Sequence, residues 1–489
     1  MTKGAALGPL QLIAIALGAW VIADLSFHFR PTNYFGGSSD EQRYLESALR
    51  WITNGPHPGR THWSLRHPLV LSLVASFRQF DVSMWALQLV PRLYGDLLVS
   101  FSTVMMARAA GLRAAGTWLL LALFTPALHQ SATNLGPEIV ELAFAAISGW
   151  LFWEARGGGR GAGLAMAGSG LFIALAIMTR ETAACLLPIY AVAWWRGRMG
   201  WPLAFAFVAG FLPPLLIDNG WLWLRSGDPL YRLHVDSAHT GIYSAHLTGG
   251  VYHGRVFLNP DLASRWTQAG PIKLFWLTDP IMNFFAAPEF ALLFFAWALL
   301  FFSRHTRPAR GSATARLMPW LLAVTIACYL IVTWVLTLRP QPRYYLVALY
   351  AASIAVALLL NGPAATRAAQ RMRQIALALV LVCGGLTILL SPDRQRDARL
   401  ILPWLKAHPD ARLHIDPANR DRIAFPAILA GVNNRITKAP ARIGQVQVRA
   451  FTPKTEQPGR WRQVAMLQGP WLFPYINHPR RLVIERRVE

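Results

Sequence analysis

Residues 202–223, PLAFAFVAGFLPPLLIDNGWLW, decide the fold class. This run holds 22 residues, and only one of them carries a charge. An α-helix needs about 20 apolar residues to cross the hydrocarbon core of a bilayer. The run therefore predicts a membrane-spanning helix.

Ten further apolar runs flank it on both sides, so about eleven spans are expected. The chain has 489 residues, of which 54% are hydrophobic and 15% charged, too little charge to cover the surface of a soluble protein. We therefore predict an α-helical polytopic membrane protein over residues 1–391. The other spans are expected at 8–27, 87–107, 114–130, 137–153, 162–178, 183–195, 288–303, 317–338, 344–361 and 374–391.

Two segments do not follow this pattern. Residues 66–80 are too short and too polar at their flanks for a span, so a helix at or dipping into the membrane interface is expected there. Residues 392–489 read as soluble sequence, with strand-like runs at 412–415, 445–451 and 481–484 and helical runs near 395–407 and 420–430. They predict a small α/β domain.

The composition also limits the partners. The formal net charge is +23, but no zinc-finger spacing, RNA-binding signature or isolated basic helix accompanies it. Basic residues beside membrane spans orient the spans and contact anionic headgroups. The charge therefore indicates membrane lipids as partners and no nucleic acid. The three cysteines lie far apart inside apolar runs, which predicts buried free thiols and no metal site.

Arginine placement predicts the orientation. With the N-terminus in the cytoplasm, the loops on that side carry most of the arginines near the spans, whereas the outside connection at 131–136 carries no Lys or Arg. This is the positive-inside pattern. It places the loops 28–86 and 224–287 and the tail 392–489 outside. The cytoplasmic arginines are Arg108, Arg113, Arg156, Arg160, Arg196, Arg198, Arg304, Arg307, Arg310, Arg316, Arg367, Arg371 and Arg373.

The first outside loop contains adjacent acids, Asp40 and Glu41, at the start of an amphipathic helix on the membrane surface. One interpretation is structural, because acids favour the first turn of a helix, and Ser39 and Gln42 fit a capping box. The other is chemical, because a carboxylate there can accept a proton from an attacking hydroxyl.

Further charged groups fall at the same outside edge. They are Arg66 and His67, Glu138 at the start of a span, Arg180 in a turn, and Arg343 in a proline-rich turn. Three of them have a local structural alternative. The alternative is a helix-dipole acid for Glu138, a salt bridge with the neighbouring Glu181 for Arg180, and a headgroup anchor for Arg343. A cavity that gathered them would suit a lipid-phosphate donor and a polar acceptor.

Short motifs across 8–391 strengthen the chemical interpretation. They are Asp40-Glu41 followed by Tyr44-Leu45, His67-Pro68-Leu69, Pro91-Arg92-Leu93, 134–138 (NLGPE), 178–182 (MTRET) and Arg343-Tyr344-Tyr345-Leu346. In order and placement these resemble the GT-C class of polyprenyl-phosphate-sugar glycosyltransferases. The pattern is most similar to protein O-mannosyltransferases and lipid A aminoarabinose transferases.

The resemblance implies transfer of a sugar from an undecaprenyl- or dolichyl-phosphate carrier to a lipid, glycan or protein acceptor outside the cytoplasm. It implies catalytic roles for Asp40 and Glu41, with Asp40 as the acceptor-binding group or the base, and contacts of Arg180 and Arg343 with the carrier phosphate. A divalent metal is optional for this chemistry, and none is assigned. The remaining residues expected to bind substrate are Arg66, His67, Glu138 and Tyr345.

Two departures from the family qualify the resemblance. One proline follows His67 where many members have two, and the tail lacks the sugar-binding repeats of the eukaryotic mannosyltransferases. The tail resembles the outer domain of bacterial members, which favours a bacterial inner membrane with the tail in the periplasm.

Two other functions compete with this one. A lipid or polysaccharide transporter would show paired repeats with broken helices, and none is evident in the sequence. A ligase that joins a lipid-linked polymer to another lipid would use charged residues of the loop 224–287, which holds Arg232, His234, Asp236, His239 and His253.

The predicted orientation is testable by cysteine labelling from outside intact cells. A cysteine at Gln457, in the tail, is expected to react with a membrane-impermeant maleimide, and a cysteine at Ser312 is not. The reverse labelling pattern would contradict the topology and the location of every site residue.

Overall fold

The computed structural model describes most of the chain. The described residues are 7–28, 39–59, 61–159, 161–197, 199–236, 284–306, 308, 312–332, 342–362, 366–390, 396–415, 423, 426–437, 441–450, 461–468 and 481–488. The predicted span 317–338 and the loop 224–287 therefore fall partly outside the described residues, as do His239 and His253.

A bundle of helices forms the body of the protein. Short 3₁₀ helices at His62–Leu65, Glu181–Cys185, Pro288–Phe290 and Pro342–Tyr345 join some of them. The α-helices are α1 Pro9–His28, α2 Ser39–Asn54, α3 His67–Phe80, α4 Met84–Ala110, α5 Leu112–Leu123, α6 Pro126–Thr133, α7 Pro137–Ala155, α8 Ala162–Thr179, α9 Leu186–Gly197, α10 Trp201–Ser226, α11 Leu293–Phe302, α12 Ala313–Leu330, α13 Leu346–Leu360 and α14 Arg367–Leu390.

The membrane character of the body is confirmed. Among the described residues, five helical segments are long and apolar enough to cross a bilayer, or six if the bent pair α6–α7 counts as one span. Others of the eleven predicted spans lie on α4, which carries Arg92 and Asp96, or on shorter apolar helices such as α5 and α11. On the outer helices α1 and α10, Leu10, Ile217 and Leu224 are largely exposed, as expected for side chains that face lipid.

One predicted span is interrupted. The expected helix 114–130 ends at Leu123, and a new helix begins at Pro126. Proline lacks a backbone N–H and disfavours helical geometry in the preceding residue, here Thr125. The short helix α6 is then bent by 113° from α7. The predicted span 114–130 is therefore two helices, α5 and α6, with a break between them.

The helix α13 lies at the centre of the bundle. Its residues from Leu346 to Leu359 are all buried, and it packs against α5, α7, α11 and α12. A helix that is apolar all round is stable only where other helices or lipid surround it. The 3₁₀ turn before α13 carries Arg343 and is thereby fixed to the core.

The two helices of the loop 28–86, which is predicted to lie outside, also belong to the packed body. The surface helix α2 buries Tyr44, Leu45 and Trp51 and exposes Arg43 and Arg50, so the predicted amphipathic helix is present. The predicted interfacial helix is α3, which packs against α2 and α4.

The C-terminal part forms a second hydrophobic cluster. The helix α15 (Arg396–Ala407) packs with a five-stranded sheet, and Ile401, Leu413 and Ile484 are among the buried residues. The strands β1 Leu413–Ile415, β2 Ile436–Thr437, β3 Val446–Ala450, β4 Trp461–Gln468 and β5 Arg481–Arg487 lie in the order β2-β1-β3-β5-β4. The predicted sheet is present, but the sequence patterns did not identify β2 or β4. A domain boundary near 391 stays a prediction.

The pair α8–α10 depends on two glycines. A Cβ on Gly170 would lie 2.1 Å from the carbonyl oxygen of Phe207, and a Cβ on Gly210 would lie 1.9 Å from that of Ala167. Small residues allow two membrane helices to approach this closely. The contact holds α8 and α10 together, and these helices carry Arg180 and Asp218.

We expect Gly210→Leu to lower the melting temperature of the detergent-solubilised protein, because its side chain must push the two backbones apart. Overpacking of this kind costs about 1–3 kcal/mol. The control is Gly163→Leu on the exposed start of α8, where a Cβ would meet no atom within 4 Å. Equal melting temperatures for the two variants would contradict the close helix contact.

Candidate functional site

Four charged side chains from distant parts of the chain meet at one end of the bundle. Arg343 Nη2 lies 3.2 Å from Asp40 Oδ2, and Arg343 Nη1 lies 3.8 Å from Glu138 Oε1. Arg180 Nη1 donates a hydrogen bond of 2.7 Å to the same Glu138 oxygen. The result is an alternating chain, Asp40–Arg343–Glu138–Arg180, which we call the charge chain.

Each member is placed by the end of a helical element. Asp40 lies in the first turn of α2, and Glu138 in the first turn of α7 after Pro137. Arg180 is the residue that follows α8, and Arg343 lies in the 3₁₀ turn before α13. The ends of the bundle helices therefore fix three of the four groups, and the surface helix α2 supplies the fourth.

A tyrosine ring lies under both arginines. The guanidinium of Arg180 is 4.3 Å from the ring centroid of Tyr344, and that of Arg343 is 5.3 Å away. Such cation–π contacts stabilise positive charge where water is scarce. Tyr345, the tyrosine selected from the sequence, is instead fully buried, with its ring 5.0 Å from that of Phe284. Tyr344, and not Tyr345, therefore contacts the arginines.

Asp40 has a second partner on its other side. The indole N–H of Trp63 donates a hydrogen bond of 2.9 Å to Asp40 Oδ1. The guanidinium of Arg43 lies 4.9 Å from the centroid of the same indole. Arg43 also lines a polar pocket of about 190 Å³, together with Arg50 and His57. Trp63 therefore connects Asp40 to a basic pocket on the outer face of α2.

A second group of charges lies beside the charge chain, since Glu181 directly follows Arg180 in the sequence. Arg66 is buried and forms ion pairs with Glu181 and, at 3.6 Å, with Asp236. Burial disfavours ionisation of both acids, but the charge of Arg66 outweighs it at Glu181 and lowers that pKa. At Asp236 burial prevails, helped by the charge of Glu181, and raises the pKa. Glu181 is thus the ionised partner of Arg66.

His67 belongs to a third, buried cluster. Its Nδ1 contacts Asp218 Oδ1, and Arg232 donates to Asp218 Oδ2 from Nη2 at 2.8 Å and from Nε at 3.1 Å. Arg232 also donates to the carbonyl oxygen of Leu65 at 2.7 Å. The ring of His67 lies 5.4 Å from those of Trp51 and Trp221. This cluster joins the loop 28–86 to α10 and to Arg232, near the start of the loop 224–287.

The structure decides between several local alternatives. Arg180 does not pair with its neighbour Glu181, because it binds Glu138 while Glu181 binds Arg66. Gln42 donates to Glu46, and Glu41 is buried, whereas Asp40 keeps 29% of its side chain exposed. Of the two adjacent acids, Asp40 is the one within the charge chain.

Arg92, of the motif Pro91-Arg92-Leu93, forms an ion pair with another helix. Its Nη2 lies 2.7 Å from Asp24 of α1, although Asp96 is only four residues away on the same helix. The ion pair therefore links two helices. It lies outside the charge chain.

Four supporting residues were missed or undervalued in the sequence analysis. Asp218 is the one charged residue of the apolar run 202–223, and an acid inside a membrane helix indicates a buried partner. Arg232 and Asp236 were noted only as charges of the second loop. The role of Trp63 has no signal in the sequence, since it depends on a fold that brings residues 40 and 63 together.

No group of three or more His, Cys, Asp or Glu side chains is arranged to hold a metal ion within the described residues. The acids of the charge chain are each bound to arginine.

Comparison with known proteins adds the fold. No protein-family model matches the sequence, and no curated protein matches it. Among solved structures, the chain is similar to ArnT from Cupriavidus metallidurans bound to undecaprenyl phosphate, with 13% identity, 97% of each chain covered and a TM-score of 0.50. The apo state of that protein gives 14% identity, the same coverage and a TM-score of 0.36. The likeness to the lipid-bound structure establishes the fold, and the chain is built as a GT-C membrane protein.

Proposed function

We propose that this chain transfers a sugar from a polyprenyl-phosphate carrier to a hydroxyl-bearing acceptor at the outer side of the membrane. The observation that carries the proposal is the contact between Asp40 and Arg343. It joins a carboxylate suited to a proton-accepting role to a guanidinium suited to a phosphate, 303 residues apart in the sequence. A GT-C fold supports the same reaction class.

The donor end is formed by Arg343 and Arg180. Guanidinium groups match the oxygens of a phosphate and hold it through charge-assisted hydrogen bonds. Arg180 is buried and firmly bound to Glu138, whereas 38% of the Arg343 side chain is exposed and its contacts are longer, at 3.2–3.8 Å. Arg343 is therefore the arginine that can change partners.

This difference suggests the order of events. A carrier phosphate that approaches Arg343 competes with Asp40, since both are anions. When the phosphate takes the guanidinium, Asp40 loses one partner and keeps the hydrogen bond from Trp63. The freed carboxylate oxygen can then accept a proton. Donor binding would thus activate the base.

The acceptor end lies on the other side of Asp40. We place the acceptor in the polar pocket that Arg43 lines, from which it would approach the carboxylate along the exposed face of α2. Asp40, Arg43 and Arg50 lie on one face of this helix, since their spacing of three and seven residues is close to one and two turns. An acceptor in the pocket can place a hydroxyl against Asp40.

The chemical step is a single displacement at the anomeric carbon. The acceptor oxygen forms the new glycosidic bond, its proton passes to Asp40, and the bond from the anomeric carbon to the carrier phosphate breaks. The released phosphate takes the bonding electrons, and Arg343 and Arg180 stabilise its charge. Tyr344 supports the two arginines, and Arg66 and His67 act through positioning.

A ligase acting on a lipid-linked polymer is the second candidate. Its support is that Arg232 and Asp236, from the start of the second outside loop, reach the clusters beside the charge chain. Arg232 binds Asp218 and the carbonyl oxygen of Leu65, and Asp236 forms an ion pair with Arg66. They therefore have structural partners, and the proposal for the smaller sugar donor is preferred. In either case we propose an inner-membrane location with the tail in the periplasm.

Asp40→Asn is expected to slow sugar transfer at least about 100-fold in purified protein, because general-base catalysis contributes about 10²–10⁴ in rate. Its melting temperature should stay near that of the wild type, since the amide oxygen can still accept from Trp63 and a half-exposed ion pair contributes little stability. Glu41→Gln is the matched control and should be milder. Near-normal transfer by Asp40→Asn would return Asp40 to a helix-capping role.

Arg343→Ala is expected to raise the apparent KM for the lipid-phosphate donor or to abolish turnover. A lost charged hydrogen bond to phosphate costs about 1.5–3 kcal/mol, which is about 10-fold to 150-fold. Arg371→Ala, an exposed arginine on α14, is the control for general loss of charge. Unchanged donor kinetics in Arg343→Ala would make this residue a headgroup anchor only.

A further inference from the structure

An apolar cavity runs along α7, from Leu142, one turn after Glu138 of the charge chain, to Arg156 at the other end of the helix. It has a volume of about 140 Å³, is partly open, and is formed by side chains of α7, α9, α12 and α13. Trp150, Tyr190 and Ile354 are among the residues that line it. The lining is almost entirely apolar and suits a hydrocarbon chain.

One arginine lies at the edge of this apolar space. Arg156, the residue that follows α7, lines the cavity. Its guanidinium lies over two indoles, 5.1 Å from the ring centroid of Trp153 and 5.1 Å from that of Trp320. A guanidinium has five N–H donors in one plane. The donors that the rings do not cover can bind an anion.

Arg156 is also free to take an external anion. Among the described residues, the structure shows no carboxylate paired with it, although the nearby Glu154 is present and binds Arg108 instead. The orientation predicted from the arginine pattern puts Arg156 at the cytoplasmic side. Basic pockets between membrane helices on that side bind the headgroups of anionic lipids.

We infer that this cavity is a binding site for an anionic phospholipid of the cytoplasmic leaflet. One acyl chain occupies the apolar space, and the headgroup phosphate binds Arg156. The lipid would fill the space between α7, α9, α12 and α13 and so support the central helix. This inference does not depend on the proposed transferase activity.

The position of Arg156 argues for a lipid other than the sugar carrier. Glu138, in the charge chain, and Arg156 are 18 residues apart along α7, which corresponds to about 27 Å at 1.5 Å per residue. A carrier with its phosphate at Arg343 would place no anion near Arg156. The carrier's own chain could fill the cavity, but it would leave the guanidinium without a partner.

The test is native mass spectrometry of the purified full-length protein with dioleoylphosphatidylglycerol and dioleoylphosphatidylcholine in equal amounts. Wild type is expected to retain phosphatidylglycerol preferentially. Arg156→Gln should reduce that preference about tenfold, as expected for a lost charged hydrogen bond. Arg113→Gln removes an exposed arginine predicted on the same side and should leave the preference unchanged.

A second variant tests the chain-binding part of the site. A Cβ on Gly149 would have only the Tyr190 hydroxyl oxygen nearby, at 3.7 Å, so Gly149→Leu fits the helix and projects into the cavity. It should weaken phosphatidylglycerol retention while Arg156 stays intact. A diazirine-bearing acyl chain on phosphatidylglycerol should also crosslink to peptides of α7 or α12 in the wild type, which needs no variant to fold.

Three results would overturn the inference. They are an unchanged preference in Arg156→Gln, unchanged retention in Gly149→Leu, and release of bound phosphatidylglycerol by one equivalent of undecaprenyl phosphate. The last result would assign the cavity to the carrier. None of these measurements uses transferase activity, so loss of the proposed function would leave the lipid site intact, and the reverse also holds.

Discussion

The ion pair between Asp40 and Arg343 connects the surface helix α2 to the turn before the central helix α13. It brings together the carboxylate and the guanidinium on which the proposed reaction depends. Asp40 begins a surface helix, and Arg343 precedes a central helix whose residues from Leu346 to Leu359 are all buried. Because α13 is surrounded by other helices, Arg343 has a fixed origin. The contact, at 3.2 Å, therefore joins the start of α2 to a residue fixed by the rigid body of the bundle. It is also loose enough to be replaced by a contact with another anion.

Charge balance explains why the remaining groups are where they are. The charge chain contains two acids and two arginines, so it is neutral overall in the absence of a ligand. Burying a lone charge at this depth would be costly, whereas paired and hydrogen-bonded charges are tolerated. Arg66 with Glu181 and Arg232 with Asp218 follow the same rule. Of the two arginines in the charge chain, Arg343 is the more exposed. In the proposed mechanism it is therefore the one that exchanges a carboxylate for the carrier phosphate.

Much of this arrangement could be predicted from the sequence because membrane proteins obey strong constraints. The apolar runs predicted the fold class, and arginine placement with helix-end charges predicted that Asp40, Glu138, Arg180 and Arg343 share one edge. Pairing could not be predicted, because local rules favour near neighbours such as Arg180 with Glu181 or Arg92 with Asp96, whereas the fold supplies partners from other helices. Trp63 and the choice of Tyr344 over Tyr345 depend on side-chain direction at a 3₁₀ turn, which the residue pattern does not encode. Pro126 indicates the helix break at Thr125, but the continuous apolar run 114–130 led to the prediction of one unbroken span.

In the proposed mechanism a carrier phosphate replaces Asp40 as the partner of Arg343. The most direct test is an experimental structure of the protein with undecaprenyl phosphate bound. We expect a phosphate oxygen about 2.7–2.9 Å from the Arg343 guanidinium, with Asp40 released from Arg343 and still bonded to Trp63. A bound phosphate located away from Arg343, with the Asp40–Arg343 pair intact, would contradict it.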